Sequence, residues 1–110
     1  MTAETINGAL VMTPEFNHLD TLSARDFSAE YDPAAAASAL VILDLSLVQF
    51  VDSTGLGSIL NLVRDTLVRG ARIAVCGAQP SVRVLFRMVQ LAKLVTIFDR
   101  RDQALAWASN

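Results

Sequence analysis

The chain has 110 residues, which fits one domain spanning 1–110 and leaves no room for two cores. It is 53% hydrophobic, 18% charged and carries a formal net charge of −2, so burial is not limiting and the basic excess expected of a nucleic-acid surface is missing. One cysteine, Cys76, excludes an intrachain disulfide and a cysteine-based zinc cluster.

A reducing compartment follows from that cysteine usage. The start, Met1-Thr2-Ala3-Glu4, lacks the basic-then-apolar pattern of a signal peptide. The longest apolar runs, such as Leu40-Val41-Ile42-Leu43, are too short to cross a bilayer. The expectation is a cytoplasmic chain with no membrane insertion.

In chain order, residues 9–16 read as a first strand and residues 17–19 as a short second one. Ser23 is placed to cap a helix with Phe27 and Tyr31 on one face, and Pro33 is expected to stop that helix near Asp32. The alanines at 34–37 read as a brief bridge, not a domain boundary. The branched apolar run from Leu40 to Leu45 is the pattern of a strand buried on both faces of a parallel sheet.

After a polar, glycine-containing turn, Leu56, Ile59, Leu60, Val63 and Leu67 recur at helical spacing, and Gly70 suits the helix end. Residues 71–76 form another buried strand, followed by Gly77. Pro80 opens a helix over about residues 81–91, residues 95–98 are a last strand, and Asp102 is placed to cap a final helix through Leu105 and Trp107. Alternating strands and helices make this an α/β domain built of βαβ units, with right-handed crossovers.

The segment Asp52-Ser53-Thr54-Gly55-Leu56-Gly57 lies between a strand pattern and a helix pattern, with Ser53 or Thr54 placed as the cap. Two glycines in a first helical turn cost up to about 1 kcal/mol each against alanine. Close packing of the helix would compensate, and so would open access to the backbone N–H groups at its start. Those groups and the helix dipole favour an anion. A phosphate on Ser53 would lie over them without unfolding the domain, with Asp52 and Asp20 adding repulsion. A plain capped turn is the competing reading.

The run Val41-Ile42-Leu43-Asp44-Leu45-Ser46, continued by Val48-Gln49-Phe50-Val51 and Asp52-Ser53-Thr54-Gly55-Leu56-Gly57, resembles the hallmark of the STAS family, which includes the bacterial anti-sigma factor antagonists. Supporting matches are His18-Leu19-Asp20, Ala24-Arg25-Asp26-Phe27, residues 70–77, Val82-Arg83-Val84-Leu85-Phe86, Ile97-Phe98 and Ala104-Leu105. The resemblance implies a single STAS-like domain, a mixed sheet of about four or five strands carrying about four helices. It implies a non-enzymatic anti-sigma factor antagonist without cofactor or metal. Such a protein, when unphosphorylated, binds an anti-sigma factor bearing a GHKL-type serine kinase domain and so frees the sigma factor. Phosphorylation of the serine after the aspartate, here Ser53, switches it off, and a PP2C-like phosphatase resets it. Asp20, Asp52, Thr54, Gly55, Leu56 and Gly57 form the environment of that serine. The oligomeric state expected is a monomer or weak dimer. A constitutive STAS subunit of a transporter or other signalling complex is the alternative.

Elsewhere, the helix after Pro80 carries Val82, Leu85, Phe86 and Val89 on one face, and Val84, Met88 and Leu91 on a second. The second, flanked by Arg83 and Arg87, is a candidate partner surface, with burial of the whole arc as the competing reading. Leu62 and Val68, off the main stripe of the preceding helix, favour contact. Cys76 between strand and helix has the placement of a thiol nucleophile, the basis of a third reading as a small thiol enzyme, but no ring of backbone donors or arginines follows it and a small buried cysteine explains it better. His18, the only histidine, is placed as a structural or exposed side chain. A phosphorelay receiver is disfavoured because Asp99-Arg100-Arg101, with no lysine, follows the last strand.

Overall fold

The computed structural model describes residues 1–109, without the side chains at 32, 33, 34 and 36. Strand β1 (Thr2–Ile6) and strand β2 (Ala9–Thr13) form a hairpin through Asn7-Gly8. Both turn residues have positive φ, 53° and 82°, the requirement of the tight turn that matches strand twist. Strand β3 (His18–Leu19) leads to helix α1 (Ser23–Ala36), then strand β4 (Leu40–Asp44) and strand β5 (Phe50–Val51). Helix α2 (Ser53–Val68), strand β6 (Arg72–Cys76) and helix α3 (Pro80–Met88) follow. A 3-10 turn (Leu91–Lys93), strand β7 (Thr96–Phe98) and helix α4 (Arg101–Ala108) complete the order.

The main sheet runs β1-β2-β4-β6-β7, parallel except for the β1–β2 edge. Its inner strands β2, β4 and β6 are covered on both faces, as their continuous apolar runs predict, whereas the edge strand β1 is mostly exposed. Val41, Leu43, Ile73 and Val75 point into the larger core, with Phe27, Ile59, Leu62 and Phe86. Val11, Ile42 and Cys76 point the other way, against Ala104, Leu105 and Trp107. Helices α1, α2 and α3 thus share one face, and α4 covers the other. β3 and β5 pair separately as a two-stranded parallel ribbon, His18 with Phe50 and Leu19 with Val51.

The strand β1 lies outside the sequence expectation, although Asn7-Gly8 between two short alternating runs is a hairpin signal. Helix α1 runs past Pro33 to Ala36. A proline removes only one intrahelical bond, and here the last turn is held from outside. Ala35 is buried, and the Arg69 guanidinium donates to the carbonyls of Ala35 and Ser38. Helix α3 ends at Met88, three residues before the expected end, because Gln90 adopts left-handed backbone with φ 57° and turns the chain. That turn drives Leu91 into the core, where it is fully buried.

The buried stripe of α2 is also rotated from the expected one. It comprises Gly55, Ser58, Ile59, Leu62, Val63 and Thr66, and Leu67 is left partly exposed. Ser58 and Thr66 tolerate burial because each hydroxyl donates to the carbonyl four residues back, at 3.2 and 2.7 Å. Leu62 is therefore core, not contact surface, whereas Val68 is exposed. At its far end Gly70 has φ 82°, and the bonds from Gly70 N to Leu67 O and from Ala71 N to Thr66 O close the helix.

The α4 face is locked by one ion-pair network. The Arg101 guanidinium donates to Asp44 Oδ2 at 2.8 Å, Thr13 Oγ1 at 2.8 Å and Glu4 Oε1 at 3.2 Å, joining α4 to β4, β2 and β1. Asp44 Oδ1 accepts from Ser46 N at 3.0 Å, so a carboxylate that is almost wholly buried has both oxygens satisfied. The first turn of α4 is held by Gln103, whose Oε1 accepts from Asp99 N and Arg100 N, both at 3.1 Å, in place of the expected Asp102 cap. Removing Arg101 leaves Asp44 charged and buried without its cation. Discounted for the part-exposed guanidinium, Arg101→Leu is expected to lower stability in urea unfolding by about 2 kcal/mol. Arg100→Ala, which loses an exposed pair with Asp102, should leave the urea midpoint essentially unchanged.

Candidate functional site

The expected acceptor segment sits where β5 turns into α2. Asp52, not Ser53 or Thr54, is the N-cap: its backbone is extended (φ −92°, ψ −175°) and its Oδ1 accepts from Gly55 N at 2.8 Å. Aspartate is as good a cap as serine, and being one residue earlier it shifts Ser53 to the first helical position. The second carboxylate oxygen, Oδ2, accepts from Thr21 N at 3.2 Å and Thr21 Oγ1 at 3.4 Å. Thr21 Oγ1 also reaches Thr54 Oγ1 at 3.4 Å. Asp52 N donates to Leu19 O at 3.2 Å, continuing the β3–β5 ribbon to the start of the helix.

Asp20 organises the other side. Its Oδ1 accepts from Leu22 N at 3.0 Å and Ser23 N at 3.1 Å, while Ser23 Oγ accepts from Asp20 N at 2.9 Å. Ser23 is thus the returning half of a reciprocal cap whose leading residue is Asp20, not the cap itself. The backbone N–H of Ser23, with that of Leu22 and the Ser23 hydroxyl, holds the half-buried Asp20 carboxyl below its ordinary range, helped by His18. Both aspartates expected around the acceptor are engaged in fixing helix starts, Asp52 that of α2 and Asp20 that of α1.

The two glycines have different reasons. A Cβ on Gly55 would lie 2.0 Å from Leu19 O and 2.7 Å from Leu19 C, so the helix reaches the ribbon only because that Cβ is absent. A Cβ on Gly57 would meet nothing within 4 Å. Close packing accounts for the first glycine, whereas no contact in the structure requires the second.

Ser53 and Thr54 are exposed, and the Ser53 hydroxyl has no hydrogen-bond partner among the described residues. Ser58, one turn on, is buried and bonded to Thr54 O. The N–H groups of Gly55 and Leu56 are taken by Asp52, through its side chain and its carbonyl. The anion-attracting start of the helix is therefore already partly occupied by a carboxylate.

Around this point lie large apolar side chains that the sequence reading did not single out. Leu22, beside Thr21, is 85% exposed, and Leu47 and Phe50, just before the cap, are 50% and 51% exposed. The His18 ring meets Phe50 edge-on at 5.6 Å and does not reach Ser53. Helix α3 is tied to the same loop: Ser81 Oγ donates to Gln49 O at 3.1 Å and Gln79 Nε2 to Ser46 O at 3.0 Å. Of the α3 residues expected on a partner surface, Val84, Met88 and Arg87 are exposed. Arg83 is half-buried, paired with Asp99 at 2.6 Å. Leu91 is inside and takes no part.

Cys76 is fully buried beside Asp44. Burial first, then the Asp44 charge, pushes its thiol up to about 12, with Arg101 opposing weakly. A thiol so held is protonated at neutral pH and lacks the thiolate a nucleophile needs. Among the described residues no group of acidic, histidine and cysteine side chains is arranged to hold a metal, and no helix is long and apolar enough to cross a membrane.

The sequence profile of the STAS domain matches residues 1–104. An anti-sigma F factor antagonist from Paenibacillus polymyxa is 38% identical over 65 residues, which is 59% of this chain and 56% of that protein. The chain thus aligns with just over half the length of that relative. A crystal structure of an anti-sigma factor antagonist from Mycobacterium paratuberculosis superposes with a TM-score of 0.88 at 21% identity, covering 99% of this chain and 92% of that one. The Bacillus cell fate determinant SpoIIAA in its phosphorylated form gives 0.75 at 20% identity, covering 97% of each chain. A sulfate transporter family protein from Wolinella succinogenes gives 0.76 at 16% identity, covering 92% and 84%.

Two measurements check this geometry. Gly55→Ala should cost about 3 kcal/mol in denaturant unfolding, at the upper end for overpacking because the obstacle is backbone, while Gly57→Ala should gain about 0.5–1 kcal/mol. In an NMR titration the Asp20 carboxyl should titrate below the ordinary aspartate value. A lowered folded pKa means its contribution is complete above the unfolded pKa and is lost as pH falls through the folded one, so the α1 cap should loosen only in acid.

Proposed function

This chain belongs to the STAS family, and from that premise we propose that it is an anti-sigma factor antagonist switched by phosphorylation of Ser53. The observation that carries the reading is a free, exposed serine hydroxyl at the first position of α2, in a frame whose other polar groups are committed to structure. A kinase can reach Ser53 without disturbing a cap, because Asp52 does the capping. Thr54 shares its hydroxyl with Thr21, and Ser58 is buried, which leaves Ser53 as the preferred acceptor.

In this reading the unmodified protein binds an anti-sigma factor carrying a GHKL-type serine kinase domain, and a PP2C-like phosphatase reverses the modification. The contact is made by Leu22, Leu47 and Phe50 around the acceptor, extended along α3 by Val84, Arg87 and Met88. Exposed apolar groups of this size beside a modifiable hydroxyl suit a surface whose affinity is to be changed. A phosphate adds about −1.5 to −2 charge. It would stand beside Asp52 and near Asp20, so the added charge repels within the surface and burdens any partner that must cover it. No refolding is required. The chain works in the cytoplasm and without catalysis of its own.

A constitutive STAS subunit of a transporter or signalling assembly is the second reading, favoured by the fold likeness to a sulfate transporter family protein. Copurification separates the two, since transporter subunits as the native partner support the second and a serine-kinase anti-sigma factor the first. Incubation with that kinase and ATP, followed by mass spectrometry, should place the phosphate on Ser53; modification only at Thr54 or Ser58 would refute the assignment. Ser53→Ala should retain partner affinity, and Ser53→Asp should lose at least about tenfold, roughly 1.4 kcal/mol. Equal affinity of the two variants would exclude a charge mechanism.

A further inference from the structure

At the other end of α3, away from the tie to the acceptor loop, a groove of about 400 Å³ opens between α3, the 3-10 turn and β7. Its apolar lining comes from Phe86, Ile97 and Ala92. Arg83, Arg87 and Gln90 line it from the α3 side at i, i+4 and i+7, Lys93 lines it from the 3-10 turn, and one carboxylate, Asp99, lines it just after β7. The three cations are not equivalent. Arg83 is committed, since it pairs with Asp99 at 2.6 Å and donates to Ala78 O at 3.0 Å. Arg87 and Lys93 have no acidic partner among the described residues.

The groove thus combines an apolar floor with two uncompensated cations, a composition complementary to an amphipathic anion. Its volume lies in the range of small-molecule sites, which are mostly apolar with a few placed polar groups. The polar groups available at its rim suit one anionic head and few other hydrogen bonds, which disfavours a nucleotide with its ribose and base to satisfy. Gln90 holds a left-handed backbone at the rim, a conformation uncommon in residues other than glycine, and it shapes this wall. We propose that this groove binds a small organic carboxylate with an apolar body, its head between Arg87 and Lys93 and its body over Phe86 and Ile97. This site does not include Ser53, but it shares Arg87 with the partner surface proposed above.

The test is a ¹H–¹⁵N NMR titration of the full chain with octanoate, with octanol as the neutral analogue and a short polyglutamate peptide as a macromolecular anion. Octanoate should saturate at micromolar to low-millimolar concentration, with shifts confined to residues 83–99. Octanol should bind at least tenfold more weakly. The double variant Arg87→Ala/Lys93→Ala should lose at least tenfold for octanoate. Ala92→Phe, at an exposed position, should fill the groove and abolish binding while leaving the rest of the spectrum in place. No saturation by about 10 mM octanoate, equal binding of octanol, shifts spread over the surface, or undiminished binding by either variant would each overturn the proposal. Tighter binding of the peptide than of octanoate at the same residues would also overturn it, assigning the groove to an acidic protein partner.

Discussion

The first turn of α2 stands on the backbone of Leu19, and the proposed acceptor site depends on that contact. A Cβ at position 55 would lie 2.0 Å from Leu19 O, so only glycine fits there. The same strand residue receives Asp52 N, so the ribbon formed by β3 and β5 ends where the helix begins. Asp52 then holds both partners, Gly55 of its own helix and Thr21 of the loop leading to α1. Two segments about thirty residues apart in sequence, 19–21 and 52–55, are thereby locked around one exposed hydroxyl.

That rigidity has a functional sense. A surface can report a single charge change only if it does not relax when the charge arrives. Here the polar groups around Ser53 are already spent on capping, so a phosphate would find little to reorganise and would act through its field and its bulk. The neighbouring apolar side chains, Leu22, Leu47 and Phe50, are exposed on elements fixed by the same hydrogen bonds. Helix α3, bonded through Ser81 and Gln79 to the loop before β5, extends the fixed frame to its own far end, where the carboxylate groove is proposed.

Much of this was legible in the residues. The branched runs at β4 and β6 announced a parallel sheet covered on both faces, and Gly70 and Pro80 marked helix boundaries for reasons of backbone geometry alone. The glycine-rich helix start stood out as a local cost needing compensation. The failures are equally physical. The α2 stripe was rotated because Ser58 and Thr66 look like surface residues until their hydroxyls are seen bonding to the helix's own carbonyls. Pro33 did not end α1, because Arg69, distant in sequence, holds the carbonyls of the last turn. Leu91 continued an apolar spacing but belongs to the core, since one left-handed residue before it redirects the chain.

The sequence alone determined the fold class, the family and the position of a serine at the start of a helix, because these follow from local periodicity and a contiguous motif. It did not determine which residue caps that helix, why each glycine is there, or which apolar side chains face water. Those depend on Leu19 meeting Gly55 and on Thr21 meeting Asp52, contacts between segments about thirty residues apart. Periodicity reports how a segment faces its neighbours on average. Only the packed structure decides which neighbour it meets, and so which hydroxyl is left free.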